Sequence, residues 1–184
     1  MSRTTIILLI SAILLALPGC VGYVTYPPAD WQTASDDING PPADELMIAA
    51  LGAVIDRFPP PGGAEPVLNL PPAVKDRVYG VIVDRVGRGA RAMAPGLESE
   101  PTYHVTRIWA RGAKAEVDVL RPVGELGPSP SGEPIVQAVT VYLEGGLNRW
   151  RVVRMRPWVI GAEGLPEPHY IGVDDAGPAE GAGG

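Results

Sequence analysis

Apolar positions recur with different periods along the chain, and each period marks a different kind of segment. From Ile6 to Leu17 they are almost uninterrupted behind the single cation Arg3. A run of about a dozen residues falls short of the roughly 20 that a helix needs to cross a bilayer core. With its short positive start and its small residues at the end, the stretch reads as an export signal over residues 1–19. Further on, Asn39-Gly40-Pro41-Pro42-Ala43 with Asp44 and Glu45 has the residues of a helix start, with Asn39 as cap, prolines in the first turn and acids at the dipole's positive end. Met47, Leu51, Val54, Ile55 and Phe58 then fall on one helical face, and Pro59-Pro60-Pro61-Gly62-Gly63 ends the element. A near copy, Asn69-Leu70-Pro71-Pro72-Ala73, opens Val74 to Val86. There Val74, Val78, Ile82 and Val86 recur at every fourth position, which favours a second helix, while the β-branched density of Val78 to Val83 also suits a strand.

From Tyr103 the period becomes two. Tyr103 to Ala110 and Ala115 to Arg121 flank Arg111-Gly112-Ala113-Lys114, and Gly at the first central position fits a type II′ hairpin turn. That register pairs Ala110 with Ala115, Trp109 with Glu116, Ile108 with Val117, Arg107 with Asp118 and Thr106 with Val119. Strict alternation puts Thr106, Ile108, Ala110, Ala115, Val117 and Val119 on the core face, and sends His104 and Arg107 to opposite faces. Ile135 to Glu144 and Arg149 to Trp158 form a second hairpin around Gly145-Gly146-Leu147-Asn148. In it Val139, Val141 and Leu143 meet Trp150 and Val152, and Met155 lies on the other face. Alternation likewise separates Arg149 and Arg151 from Arg154 and Arg156. Gly87 to Pro101 reads as a loop, and the missing strand, helix and Lys-Ser/Thr speak against a phosphate loop there.

The expected fold class is therefore α+β: two N-terminal helices packed on a four-stranded antiparallel sheet of two hairpins, over residues 41–161. Residues 20–40 hold no sustained period and read as a tether, able to reach roughly 65 Å when fully extended. Tyr23, Tyr26 and Trp31 within it suit either the lipid headgroup level or packing on the domain. Residues 162–184, rich in Gly, Pro and acid, are expected to be a disordered tail.

Composition sharpens the functional question. Of 184 residues, 21 are Asp or Glu and 15 are Lys or Arg, for a net charge of -6. An acidic chain without clustered cations is a poor nucleic-acid binder, so no nucleic-acid partner is expected. Cys20 is the sole cysteine, which in an exported chain rules out an internal disulfide and asks for another role. The two histidines, His104 and His169, are far apart in sequence, and nothing has the spacing of a metal site, so neither metal nor cofactor is expected.

Two resemblances follow from these residues. Leu17-Pro18-Gly19-Cys20, placed at the end of the apolar run, resembles the lipobox of bacterial lipoproteins. The resemblance implies cleavage before Cys20 and acylation of its thiol. It also implies, with Val21 next, a protein anchored to the outer membrane and facing the periplasm. Two or three acyl chains hold a protein essentially permanently at a membrane. The succession of helices and antiparallel strands over Pro41 to Trp158, carried by RGAKAEVDV and GGLNRWRVVRMRPW, is similar to the ketosteroid-isomerase-like (cystatin-type) superfamily. That similarity implies a curved sheet wrapped on a helix and, in many members, a conical pocket.

Candidate ligand-binding residues are Tyr103, His104, Arg107 and Asp118: an imidazole titrating near neutrality beside a phenol, and a cross-strand ion pair able to orient a ligand. His104 also fits a structural strand end, and Arg107–Asp118 a solvated pair. No catalytic set is expected, since Ser129 and Ser131 have no partner base in sequence reach. The expectation is a membrane-anchored cell-envelope lipoprotein, non-catalytic, with an envelope protein or glycan as partner. The alternative is a small-ligand binder or enzyme with a ketosteroid-isomerase-like pocket.

Overall fold

A computed structural model describes residues 23–28, 37–127, 129, 132–145 and 149–172. The export signal, Cys20, Trp31, Ser131 and the tail beyond Gly172 lie outside the described residues. In chain order the elements are β1 (Tyr23–Tyr26), α1 (Ala43–Arg57), β2 (Val67–Asn69), α2 (Asp76–Val86), β3 (Arg91–Ala92), β4 (Thr102–Arg111), β5 (Lys114–Pro122), β6 (Val136–Glu144) and β7 (Arg151–Ile160). The strands make one seven-stranded mixed sheet in the order β3-β2-β4-β5-β6-β7, with β1 also paired to β4. The expected four-stranded antiparallel sheet is thus the larger part of a mixed one. β2 runs parallel to both β3 and β4, and β1 runs antiparallel to β4. β4 is long enough for two short strands to share its free edge, β2 beside Thr102–His104 and β1 beside Ile108–Arg111. β1 lies in what the sequence presented as a tether, and β3 in what it presented as a loop. The two helices do not precede the sheet together, because β2 falls between them and β1 before both.

α1 lies across β4 to β7 and packs against α2, whose Tyr79 reaches β2. Contact with both the sheet and α2 buries more than one stripe of α1: Leu46 and Ala50 are as buried as the expected Met47, Leu51, Val54 and Ile55. On the facing side of the sheet Val105, Ile108, Ala110, Val117, Val119, Val139, Val141 and Leu143 join them in one continuous core. α2, a helix despite its β-branched run, buries Tyr79, Ile82 and Val86.

Neither asparagine of the repeated Asn-x-Pro-Pro-Ala stretch caps a helix. Asn39 accepts from the Lys75 backbone N–H at 2.6 Å and donates to the Ala73 carbonyl at 3.0 Å, so it ties the approach of α1 to that of α2. Asn69 ends β2, where it is buried.

Both hairpins keep the expected pairing near their turns. Gly112 has φ of +64° and Ala113 no positive φ, as a type II′ turn requires. Arg107 faces Asp118, Ile108 faces Val117 and Trp109 faces Glu116. Beyond these pairs a β-bulge intervenes. Val105, rather than Thr106, stands opposite Val119, so Thr106 is the extra residue and leaves the core face to Val105. In the second hairpin Leu143 pairs with Val152 but Tyr142 with Arg154, and Val153 is the extra residue. Each bulge shifts every side chain beyond it by one face. Met155 thereby turns inward opposite Val141, while Arg151, Arg154 and Arg156 all turn outward, opposite Glu144, Tyr142 and Thr140. The expected split of these arginines does not occur.

Residues 162–172, expected to be disordered, form a strap across the domain. It is held by Asn69, by a Tyr170 hydroxyl donating to Glu98 at 2.6 Å, and by the Gly172 N–H donating to Asp76 at 2.8 Å.

Candidate functional site

Tyr103 leaves the other three candidates at once. It points into the core, and its hydroxyl donates to the Phe58 carbonyl at the end of α1, at 2.6 Å. Burial pushes its phenol well above the usual range, so it is neutral at any physiological pH.

His104, Arg107 and Asp118 share the face of the sheet away from the helices. Strict alternation would separate His104 from Arg107; the extra residue at Thr106 reunites their faces. They nevertheless belong to two sites with no lining residue in common.

The first site is a shallow depression of about 450 Å³ on the outer face, framed by Pro27, Thr106, Arg107, Asp118, Thr140 and Trp158. Arg107 donates to Asp118 at 2.6 Å and to Glu116 at 2.9 Å. Thr140 donates to the other Asp118 oxygen at 2.6 Å and accepts from the Trp158 indole N–H at 2.9 Å. One chain of bonds thus crosses β4, β5, β6 and β7. Its charged bonds to Asp118 and then Glu116 hold the Arg107 guanidinium even further above neutrality than usual. With both Asp118 oxygens accepting and Arg107 bonded to two carboxylates, the cluster keeps one net negative charge and its cation is fully committed. It can pin strands together.

The second site surrounds His104 beneath the strap, where Leu165, Pro166 and Pro168 close a chamber of about 100 Å³ over His104, Thr102, Glu98 and Glu100. Asn69 organises it. Its side-chain oxygen accepts from the His169 backbone N–H at 2.8 Å, which fixes the amide's orientation. Its nitrogen then donates to the Glu167 carbonyl at 3.1 Å and to His104 Nδ1 at 3.0 Å. Nδ1 is therefore an acceptor, and the proton of the neutral ring sits on Nε2. Burial lowers the His104 pKa to about 4, so the ring is neutral near pH 7. The His169 ring meets Tyr79 edge-on at 5.3 Å, and the Tyr79 hydroxyl in turn donates to the Leu68 carbonyl.

Alongside this chamber, and sharing Glu98, Glu100, Pro122 and Pro134 with it, runs an open groove of about 590 Å³ with Pro61, Pro101, Val123 and Ile135 in its walls. On the opposite side of the sheet, Met47, Leu51 and Val54 of α1 are fully buried in the core.

Sequence reasoning missed Asn69, Thr140, Trp158 and the strap. Asn69 followed two apolar residues and preceded two prolines, a setting that reads as a cap. Its tertiary role joins residues 35 and 100 positions away, beyond any local signal. No group of three or more His, Cys, Asp or Glu able to hold a metal occurs among the described residues.

No family model, curated protein or solved structure matches the chain.

Proposed function

We propose that the protein is a membrane-anchored lipoprotein of the cell envelope, exported, cut before Cys20 and acylated there, whose α+β domain is a non-catalytic binding or structural module. The observation that carries the non-catalytic half is the commitment of the candidate chemistry to the fold: Arg107, Asp118 and Thr140 bond one another, and His104 is buried and bonded to Asn69. The continuous core between α1 and the sheet supports a module over a pocketed binder. The anchored half rests on the apolar run and on Leu17-Pro18-Gly19-Cys20. The partner is an envelope protein or glycan taken up on the outer sheet face, with the outer membrane facing the periplasm as location. Cys20→Ser tests the reading. The variant is expected to leave the membrane fraction while its domain melts at the wild-type temperature; retention on membranes after a salt wash contradicts it.

A further inference from the structure

Acylation at Cys20 would leave very little slack before the fold begins. β1 starts at Tyr23, three residues later, and three residues span at most about 10 Å. Tyr23 pairs with Arg111, the last residue of β4, beside the β4–β5 turn. The part of the domain nearest the lipid is thus fixed by strand register, in place of the long tether suggested by the sequence.

That end of the sheet is basic in a protein of net charge -6. Arg111 and Lys114 flank the β4–β5 turn, and both are exposed. Lys114 pairs with Glu144 at the end of β6, and Glu144 with Arg151 at the start of β7, so the second hairpin turns at the same end. Arg149, also exposed, lies just before β7. Against these four cations stands Glu144, 3.6 Å from Arg151. Among the described residues, Arg111, Lys114 and Arg149 have no ion-pair partner. At the other end of β4, roughly 30 Å away by strand rise, the loops carry Glu98, Glu100 and Glu133.

We infer that the turn end of the sheet, through Arg111, Lys114, Arg149 and Arg151, docks on the anionic phospholipid headgroups of the membrane that holds Cys20, so that the acidic end with its groove and strap faces away from the bilayer. This rests on the anchoring proposed above and adds to it an orientation. The short link brings the cations to the surface, and the sign of their charge matches the headgroups. Each cation near such a surface strengthens association about fivefold, an effect confined to roughly 10 Å at moderate salt. The acidic end repels the same surface.

The test uses the lipidated protein with a fluorophore on Ala113→Cys, at the tip, or on Pro134→Cys, at the far end. Each is placed in phosphatidylcholine vesicles with or without phosphatidylglycerol, together with a headgroup quencher. Expected are flotation of both proteins with the vesicles, strong quenching of the tip and little quenching of the far end, which lies roughly 30 Å further from the headgroups. That contrast should grow with phosphatidylglycerol and fall back to its phosphatidylcholine level in the joint variant Arg111→Gln, Lys114→Gln, Arg149→Gln and Arg151→Gln, with an unchanged melting temperature. A floating protein whose two probes are quenched alike, or whose contrast is unchanged by phosphatidylglycerol and by the four substitutions, overturns the headgroup docking and leaves the anchor standing. Failure to float, with no acyl mass on Cys20, overturns the anchor and the orientation with it.

Discussion

His104 and Arg107 sit three residues apart on β4 and share one face of the sheet, yet their surroundings satisfy them by opposite means. Arg107 is half-buried and fully charged, balanced by Asp118 and Glu116 across the strand. His104 is buried beneath the strap, uncharged, and held by the neutral amide of Asn69. The difference follows from cover. Where the sheet is open to solvent, charges retain partial hydration and pair at little cost. Where residues 165–168 close over it, a charge would lose its hydration, and the ring stays neutral instead. A buried neutral network is the more fragile of the two, because removing one member leaves the others unpaired without water to replace it.

The largest expected effect is therefore at Asn69. Asn69→Ala strands His104 Nδ1, the Glu167 carbonyl and the His169 N–H together, and is expected to cost about 3 kcal/mol in denaturant unfolding. Hydrogen exchange should also rise over residues 165–172; a loss under about 1 kcal/mol would remove the central role given to this side chain.

Acidification should act on the same network nearly as strongly. The folded pKa of His104 lies below its ordinary 6.5, at about 4, so the unfolded chain takes up the proton first. Its contribution to stability is complete above pH 6.5 and is lost as pH falls toward 4, by about 3 kcal/mol in all. Unfolding free energies of wild type and His104→Gln across that interval check this. The variant should lack this component, and equal slopes would contradict the assignment.

The Arg107 cluster should yield less. Asp118→Ala leaves Thr140 and Arg107 short of an acceptor and is expected to cost about 1–2 kcal/mol, reduced by solvent access to Arg107. Glu116→Ala, on the exposed flank, should cost under about 1 kcal/mol and less still at high salt. Thermal unfolding of both variants orders the two, and a larger loss for Glu116→Ala would reverse the picture of where the cluster is anchored.

How much of this was legible in the chain depended on the range of the signal. Gly112 in a period-two stretch announced the first hairpin, and the pairs from Ala110–Ala115 to Arg107–Asp118 follow from it. The bulges at Thr106 and Val153 did not, because an extra residue leaves the hydrophobic pattern almost intact while reversing faces beyond it. This reversal changed the reading of His104 against Arg107, and of Arg151 against Arg154 and Arg156. β1, β2 and β3, of four, three and two residues, are too short to show a period; β1 and β2 share the free edge of β4, and β3 adds to β2 in turn. The strap carries no hydrophobic periodicity either; its order comes from Asn69, Glu98 and Asp76, all distant in sequence. Leu17-Pro18-Gly19-Cys20, by contrast, is contiguous, so the anchor proposed from it rests on sequence alone.

The most direct measurement of the central claim is the intact mass of the protein extracted from membranes of the cells that make it. The account predicts a chain beginning at Cys20 and heavier than its sequence by a diacylglyceryl group, with or without a further acyl chain. A chain beginning elsewhere, or an unmodified Cys20, would contradict it.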